Sequence, residues 1–140
     1  MPPTSDQQIR FLVNLQRLLD ECSFVASYKF ALLLSLADLC IEKGDDSGAP
    51  MPVDTNDVAE KFILYYWRQA VPYPYPSPVA AKVLQQNTGT QAAIVNAVRD
   101  ARAAYGDLLP NLVKNVSTWR PLVTRVARVD DGLTILCKFA

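Results

Sequence analysis

The chain of 140 residues contains no histidine, and this absence excludes several common kinds of catalytic and metal site. A Ser-His-Asp triad, a Cys-His pair, the H-E-x-x-H motif and a histidine metal ligand all need an imidazole. Its five glycines form neither G-x-x-x-x-G-K-[ST] nor G-x-G-x-x-G, the loops that hold nucleotide phosphates. We therefore expect a protein that is not an enzyme on its own and that binds no cofactor or metal.

Cysteine is also sparse, because Cys22, Cys40 and Cys137 are odd in number and far apart. This pattern supports neither a disulfide framework nor a cysteine zinc site, and it favours three buried thiols in a reducing compartment. The N-terminus lacks a basic start and an apolar stretch, so we expect no signal peptide. The apolar stretch 24–41 carries Lys29 and Asp38, which favours a buried helix over a membrane span. These features predict a cytoplasmic protein without a membrane partner.

The formal net charge is zero, but the charges are unevenly distributed along the chain. Residues 1–64 contain five Lys/Arg against ten Asp/Glu, a net charge of −5, whereas residues 65–140 contain nine against four, a net charge of +5. This asymmetry favours an anionic partner for the second half. Opposite charges that face each other within the fold would also explain it.

Half of the residues are hydrophobic, which suits one globular domain. The apolar spacing predicts helices over 5–21, 24–43, from 54 or 55 to before Pro72, and 90–105. A short helix is expected within 79–85, a fifth from about 108 through Trp119, and a short sixth over 122–129, because Pro121 should interrupt the chain. The helix over 24–43 is apolar on nearly all sides and should be the central one.

The predicted fold is therefore all-α and mainly helical. We expect a single helical domain over 1–140, with about five to six helices around a buried central helix. Residues 1–7 should be a flexible N-terminus, and 131–140 should form a short β-prone tail.

An aromatic and basic stretch lies at the end of the third predicted helix. Residues 65–69, Tyr-Tyr-Trp-Arg-Gln, are followed by Tyr73 and Tyr75 in a proline-rich segment. Aromatic rings beside a guanidinium can stack on bases or hold a phosphate. Tyr66 and Trp67 also fit a packing role, since aromatics at helical spacing usually pack in the core. For Arg68 and Gln69 both roles stay open.

Further candidates for anion binding lie in the second half. Asn87, in the polar segment 86–89 before a helix, lies where backbone N–H groups can hold a phosphate, or it simply caps that helix. The later helices carry six basic residues that could line one surface: Arg99, Arg102, Lys114, Arg120, Arg125 and Arg128. Arg99 and Arg102 are three residues apart and should share a helix face.

Five stretches of the chain together resemble one protein family. They are Phe11-Leu12-x-x-Leu15-Gln16-Arg17-Leu18-Leu19, Phe24-Val25-Ala26-Ser27-Tyr28-Lys29-Phe30-Ala31-Leu32-Leu33-Leu34, Ala37-Asp38-Leu39, Ala59-Glu60-Lys61-Phe62-Ile63-x-Tyr65-Tyr66-Trp67-Arg68-Gln69 and Gln86-Asn87-Thr88-Gly89-x-Gln91-Ala92-Ala93-Ile94-Val95. Over about residues 8–129 the chain is similar to the N-terminal region of bacterial HNH endonucleases. In that family the nuclease lies in a C-terminal segment with several histidines.

That resemblance carries over no catalytic residue, because this sequence has no histidine-bearing segment. It suggests a truncated or split version of such a nuclease, or a stand-alone relative. What it implies for the retained part is target recognition or positioning within a restriction or defence nuclease, without nuclease activity. Tyr28-Lys29 and Arg68-Gln69 would then contact the nucleic acid.

Two classes of function follow from these observations. The first is a nucleic-acid-binding module with DNA as its partner. Its candidate contact residues are Tyr28, Lys29, Arg68, Gln69, Tyr73, Asn87, Arg99, Arg102, Arg120 and Arg125. The alternative is a protein-interaction or dimerisation module whose partner is a second copy or a nuclease-bearing relative. A carboxylate-dependent enzyme that uses Asp45 and Asp46 ranks third.

Overall fold

The computed structural model describes residues 3–20, 27–45, 47–74, 81–85 and 91–129, and these are mainly helical. The elements are α1 (Ser5–Asp20), α2 (Tyr28–Lys43), α3 (Thr55–Gln69), β1 (Pro72–Tyr73), β2 (Lys82–Val83), α4 (Ala93–Tyr105), α5 (Leu109–Lys114) and α6 (Val116–Val129). The expected all-α fold class is confirmed. The predicted tail over 131–140 lies outside the described residues.

Helix α3 occupies the centre of the fold. It packs closely against α2, α4 and α6, and Ala59, Phe62 and Ile63 on it are fully buried. Helix α2, by contrast, leaves Leu34 51% and Ile41 83% exposed. The expectation that 24–43 forms the central helix was therefore wrong. An apolar sequence shows how much surface a helix can bury, but the neighbouring helices decide which of its faces are covered.

The first and third helices begin at side-chain caps. At α1, Gln7 accepts the backbone N–H of Thr4 at 2.8 Å and donates its own backbone N–H to the Thr4 hydroxyl at 3.4 Å, a capping box. Residues 5–7 are therefore helical, and the expected flexibility of segment 1–7 stays a prediction. At α3, the Asp54 carboxylate accepts the backbone N–H of Asn56 at 2.7 Å.

The chain after α3 is extended because Pro72 cannot continue a helix. Strand β1 pairs antiparallel with β2, with Pro72 opposite Val83 and Tyr73 opposite Lys82. The short helix expected within 79–85 is therefore wrong for the described residues 81–85. The extended segment after α3 offers a backbone edge with which residues 82–83 pair.

The helices of the second half divide at a different point from the one expected. Helix α4 begins at Ala93 and ends before Gly106, whose φ of 93° suits glycine. Pro121 lies within α6 and does not interrupt it. Its missing N–H leaves the carbonyl of Ser117 without a helical donor. Both residues are exposed, so water can supply that donor and the helix continues.

The structure also bears on the expectations for the cysteines and for a membrane span. Cys40 is exposed rather than buried, whereas Cys22 and Cys137 lie outside the described residues. Among the helices that the structure describes, none has the length and apolar character needed to cross a membrane.

Alanine substitutions at two adjacent residues of α3 test whether this helix is the central one. We expect Ile63→Ala to lower the free energy of unfolding by about 2–5 kcal/mol, because it leaves a cavity in a fully buried site. The matched change Leu64→Ala, at a residue 44% exposed, should cost less than about 1 kcal/mol. Urea denaturation of both variants measures the difference. Equal losses would contradict the central burial of α3.

Candidate functional site

Tyr28 connects three helices in the interior. Its ring packs edge-on against Phe62 and Tyr66, with centroid distances of 6.0 and 5.9 Å. Its hydroxyl accepts the backbone N–H of Ile94 at 2.9 Å, one of the N–H groups of α4 that have no helical partner. Lys29 is only 5% exposed. Lys29 is therefore buried and Tyr28 is partly buried against the core, and their expected contacts with nucleic acid stay a prediction.

The aromatic residues before Arg68 also belong to the core. Tyr66 and Trp67 are 1% and 5% exposed, which confirms their packing role. Burial raises the pKa of Tyr66 to about 12, and its hydroxyl lies 2.6 Å from that of Ser27. The hydroxyl of Tyr65 donates a hydrogen bond to the carboxylate of Asp38 at 2.5 Å. Burial, and to a smaller extent this hydrogen bond, raise the pKa of Tyr65 above its usual range. Both phenols therefore stay neutral at physiological pH.

Arg102 connects the ends of α3 and α4. Its Nη1 donates to the carbonyl of Trp67 and its Nη2 to the carboxylate of Asp107, both at 2.9 Å. Its guanidinium carbon lies 4.9 Å from the centroid of the Trp67 ring, whose N–H donates to the backbone carbonyl of Asp107 at 2.9 Å. The Arg102 side chain is 14% exposed, whereas that of Arg99 is 49% exposed. The two arginines therefore lie three residues apart on α4 but differ in exposure, and their joint role on a basic surface stays a prediction.

Three residues of the aromatic and basic stretch do lie on the surface. Arg68 and Gln69, in the last turn of α3, are exposed, and Tyr73 on β1 is 54% exposed. Arg68 makes no hydrogen bond or ion pair with another residue that the structure describes. Asn87 and Tyr75 lie outside the described residues. This part of the predicted site is therefore present as three exposed side chains.

A cluster of three arginines lies on the outer face of α6. An open depression of about 480 Å³ is lined by Arg120, Pro121, Thr124, Arg125 and Arg128. The helix contains no acidic residue, and Leu122, Val123 and Val126 on its other face are buried. We call the five lining residues the α6 surface. The spacing of three residues places Arg125 and Arg128 on one side of the helix, and Arg120 lies about two turns before Arg128.

The ion pairs show that the charge asymmetry is not cancelled across the fold. Between described residues, each ion pair joins two residues of the same half: Lys43–Asp57, Lys61–Glu42, Arg99–Asp100, Arg125–Asp100 and Arg102–Asp107. Arg120 and Arg128 make no ion pair with any residue in this part of the chain. Among the described residues, the positive excess of the second half is therefore not neutralised by ion pairs with the first half, and three of its arginines lie on α6.

This α6 surface is suited to phosphate groups. A guanidinium presents parallel N–H donors in a planar fork, which matches two oxygens of one phosphate. Arg120 and Arg128 are eight residues apart, which is about 12 Å along a helix. Arg125 is held only loosely, because it meets Asp100 at 3.5 Å and both side chains are about half exposed. All three guanidinium groups can therefore face an extended anion.

The loop between α2 and α3 offers no comparable arrangement of carboxylates. Asp45 accepts hydrogen bonds from the hydroxyl and the backbone N–H of Ser47, which lower the pKa of its carboxyl. Asp46 lies outside the described residues. Within the described ranges, no group of three or more Cys, Asp or Glu side chains is placed to hold a metal ion. The described residues of this loop therefore add no cluster of carboxylates in support of a carboxylate-dependent enzyme.

No family model matches the chain, and no curated protein or solved structure matches it either. The resemblance to the N-terminal region of HNH endonucleases therefore stays a prediction. Function has to be argued from the positions of the side chains described above.

Lysine substitutions at Arg102 and at Arg120 should distinguish an arginine that stabilises the fold from one that lies on the surface. We expect Arg102→Lys to lower the free energy of unfolding by about 2 kcal/mol, because lysine cannot reproduce the two guanidinium hydrogen bonds. Arg120→Lys, at an exposed site, should change it by less than about 0.5 kcal/mol. Chemical denaturation of both variants measures this, and an equal effect would contradict the structural role of Arg102.

The raised pKa of Tyr66 predicts a loss of stability at alkaline pH. An unfolded tyrosine releases its proton near 10.0, whereas Tyr66 in the fold holds it to about 12. Its contribution is therefore constant below pH 10.0 and is lost as pH rises towards about 12. Tyr66→Phe should weaken this dependence, and Tyr105→Phe, at a residue 57% exposed, should not. Urea midpoints measured across this pH range give the pH dependence of stability. The same dependence in Tyr66→Phe as in the parent chain would contradict the prediction.

Proposed function

We propose that this chain is a nucleic-acid-binding module whose contact surface is the outer face of α6. The observation that carries the proposal is the convergence of Arg120, Arg125 and Arg128 on one open face of a helix without acidic residues. The phosphates of a nucleic acid are the densest repeating anions that such a surface can meet, and their neutralisation releases bound counterions.

The chemistry of the α6 surface favours the backbone of duplex DNA over single strands. Binding of single strands depends largely on aromatic side chains that stack on bases. The α6 surface has arginine, proline and threonine, but no aromatic ring. Exposed Tyr73 lies on β1 beside Lys82, not among the residues that line this surface. Phosphate contact by arginine positions a protein on DNA and gives little sequence preference by itself.

The sequence resemblance extends the proposal to a biological setting. If residues 8–129 correspond to the front part of an HNH nuclease, the chain would hold DNA for a nuclease-bearing partner in a restriction or defence system. The chain itself would contribute no hydrolysis of the HNH type, because it has no histidine. This extension rests on the resemblance, and the α6 surface supports only the binding step.

Polarisation of labelled DNA over a salt series tests the binding step. Three phosphate contacts predict that log K falls against log salt with a slope of about −2.7. The variant Arg120→Gln/Arg128→Gln should weaken binding and reduce the steepness of that slope by about 1.8. Glutamine keeps a helix propensity close to that of arginine, so α6 should stay folded.

Two single variants serve as controls in the same experiment. Arg10→Gln removes one positive charge from an exposed position on α1 and should leave duplex binding unchanged. Arg68→Gln tests the surface at the end of α3, and a larger loss there, above all with single strands, would move the site to Arg68 and Tyr73. No binding to any duplex or single strand at low salt would refute the proposal for this chain.

A further inference from the structure

One carboxylate on α4 holds arginines from two helices. Asp100 accepts a hydrogen bond from Nη2 of its neighbour Arg99 through Oδ1 at 3.1 Å. Its other oxygen, Oδ2, accepts one from Nη2 of Arg125 on α6 at 3.5 Å. Helices α4 and α6 pack closely, and this packing brings the two arginines to the same carboxylate. We call Arg99, Asp100 and Arg125 the α4–α6 bridge.

The α4–α6 bridge is not needed to hold the two helices together. Its three side chains are each about half exposed, and exposed ion pairs contribute little to stability because water and salt screen them. Val98 on α4 and Val126 on α6 are fully buried in the core. The two helices can therefore keep their packing when Asp100 releases its arginines.

A backbone phosphate has the chemistry to replace the Asp100 carboxylate. Both groups carry one negative charge on two terminal oxygens, and guanidinium N–H groups donate to either. Arg125 also lines the α6 surface, so a phosphate at the bridge would lie beside those that contact the rest of that surface. Two arginines and one aspartate leave the bridge with a net charge of +1, so it attracts an anion even before Asp100 moves away.

We infer that Arg99 and Arg125 form a phosphate subsite that continues the α6 surface onto α4. Asp100 occupies this subsite in the free chain, and a phosphate of the bound nucleic acid displaces it. The inference rests on the proposed function and extends its contact surface by Arg99. Asp100 then acts as an internal competitor, because each nucleic-acid molecule that binds has to take the two arginines from it.

Removal of the competing charge should strengthen binding. We expect Asp100→Asn to raise the affinity for duplex DNA by about two- to five-fold at low salt, since an exposed ion pair no longer has to be broken. In the parent chain the displaced carboxylate stays nearby and offsets one positive charge. Its loss should therefore steepen the slope of log K against log salt by about 0.9. Polarisation of labelled duplex over a salt series measures both effects.

A carboxylate on another helix provides the matched control. Glu42 on α2 is 53% exposed, close to the 48% of Asp100, and it also forms an ion pair, with Lys61. Glu42→Gln changes the net charge by the same amount, but α2 is not closely packed against α6. It should leave affinity and salt slope unchanged. Circular dichroism verifies that each variant is folded.

A second substitution identifies the arginine that takes the phosphate. In the Asp100→Asn chain, Arg99→Gln should remove the gain in affinity and in slope. The same exchange at Arg10, on exposed α1, should keep the gain. If Arg99→Gln keeps the gain as well, the phosphate subsite on α4 is refuted.

The outcomes distinguish this inference from the proposed function. Equal affinities of Asp100→Asn and Glu42→Gln would overturn the inference, whereas the proposed function stands if Arg120→Gln/Arg128→Gln still weakens binding. Binding by Asp100→Asn without binding by the parent chain would support the inference and refute the proposed function for the parent. No binding by any of these chains at low salt would overturn both.

Discussion

The burial of α3 on three sides is the constraint on which the rest of the structure depends. Val58, Ala59, Phe62, Ile63, Tyr66 and Trp67 cover too much of its circumference for one neighbour to bury. Helices α2, α4 and α6 each contribute one face to it. Because one face of each of these helices packs against α3, the outward faces of α2 and α6 are also determined. The exposed Leu34 and Ile41 of α2 and the arginine-lined α6 surface both follow from the packing around α3.

Local signals in the sequence predicted most element limits, because those limits depend on nearby atoms. Asp54 and Gly106 act through their own cap geometry, and Pro72 acts through its ring. Pro121 misled the prediction because the effect of a proline depends on whether the carbonyl it leaves unpaired can reach water. The position of α2 was mispredicted for a related reason. The leucines of α2 would allow burial on many sides of the helix, but α3 covers only one side.

The candidate site was predictable only where charge and helical spacing were sufficient. Arg125 and Arg128 could be expected on one surface because they are three residues apart in the expected sixth helix. Arg120 joins them only because Pro121 does not interrupt α6. Arg102 looked equivalent in sequence, but its partners Trp67 and Asp107 come from the ends of two other segments. Lys29 likewise lies next to Tyr28, whose contacts reach residue 94. Contacts of such long sequence separation have no signature in one chain without related sequences.

The composition of the α6 surface has a consequence for regulation. Its positive charge comes only from arginine, with neither lysine nor histidine in the helix. A guanidinium does not lose its proton in proteins, so this face carries the same charge in an acidified and in an alkaline compartment. Acetylation of lysine cannot neutralise it either. A ligand bound there would therefore be released by competition or by a change in the protein's conformation, and not by a proton or an acetyl group.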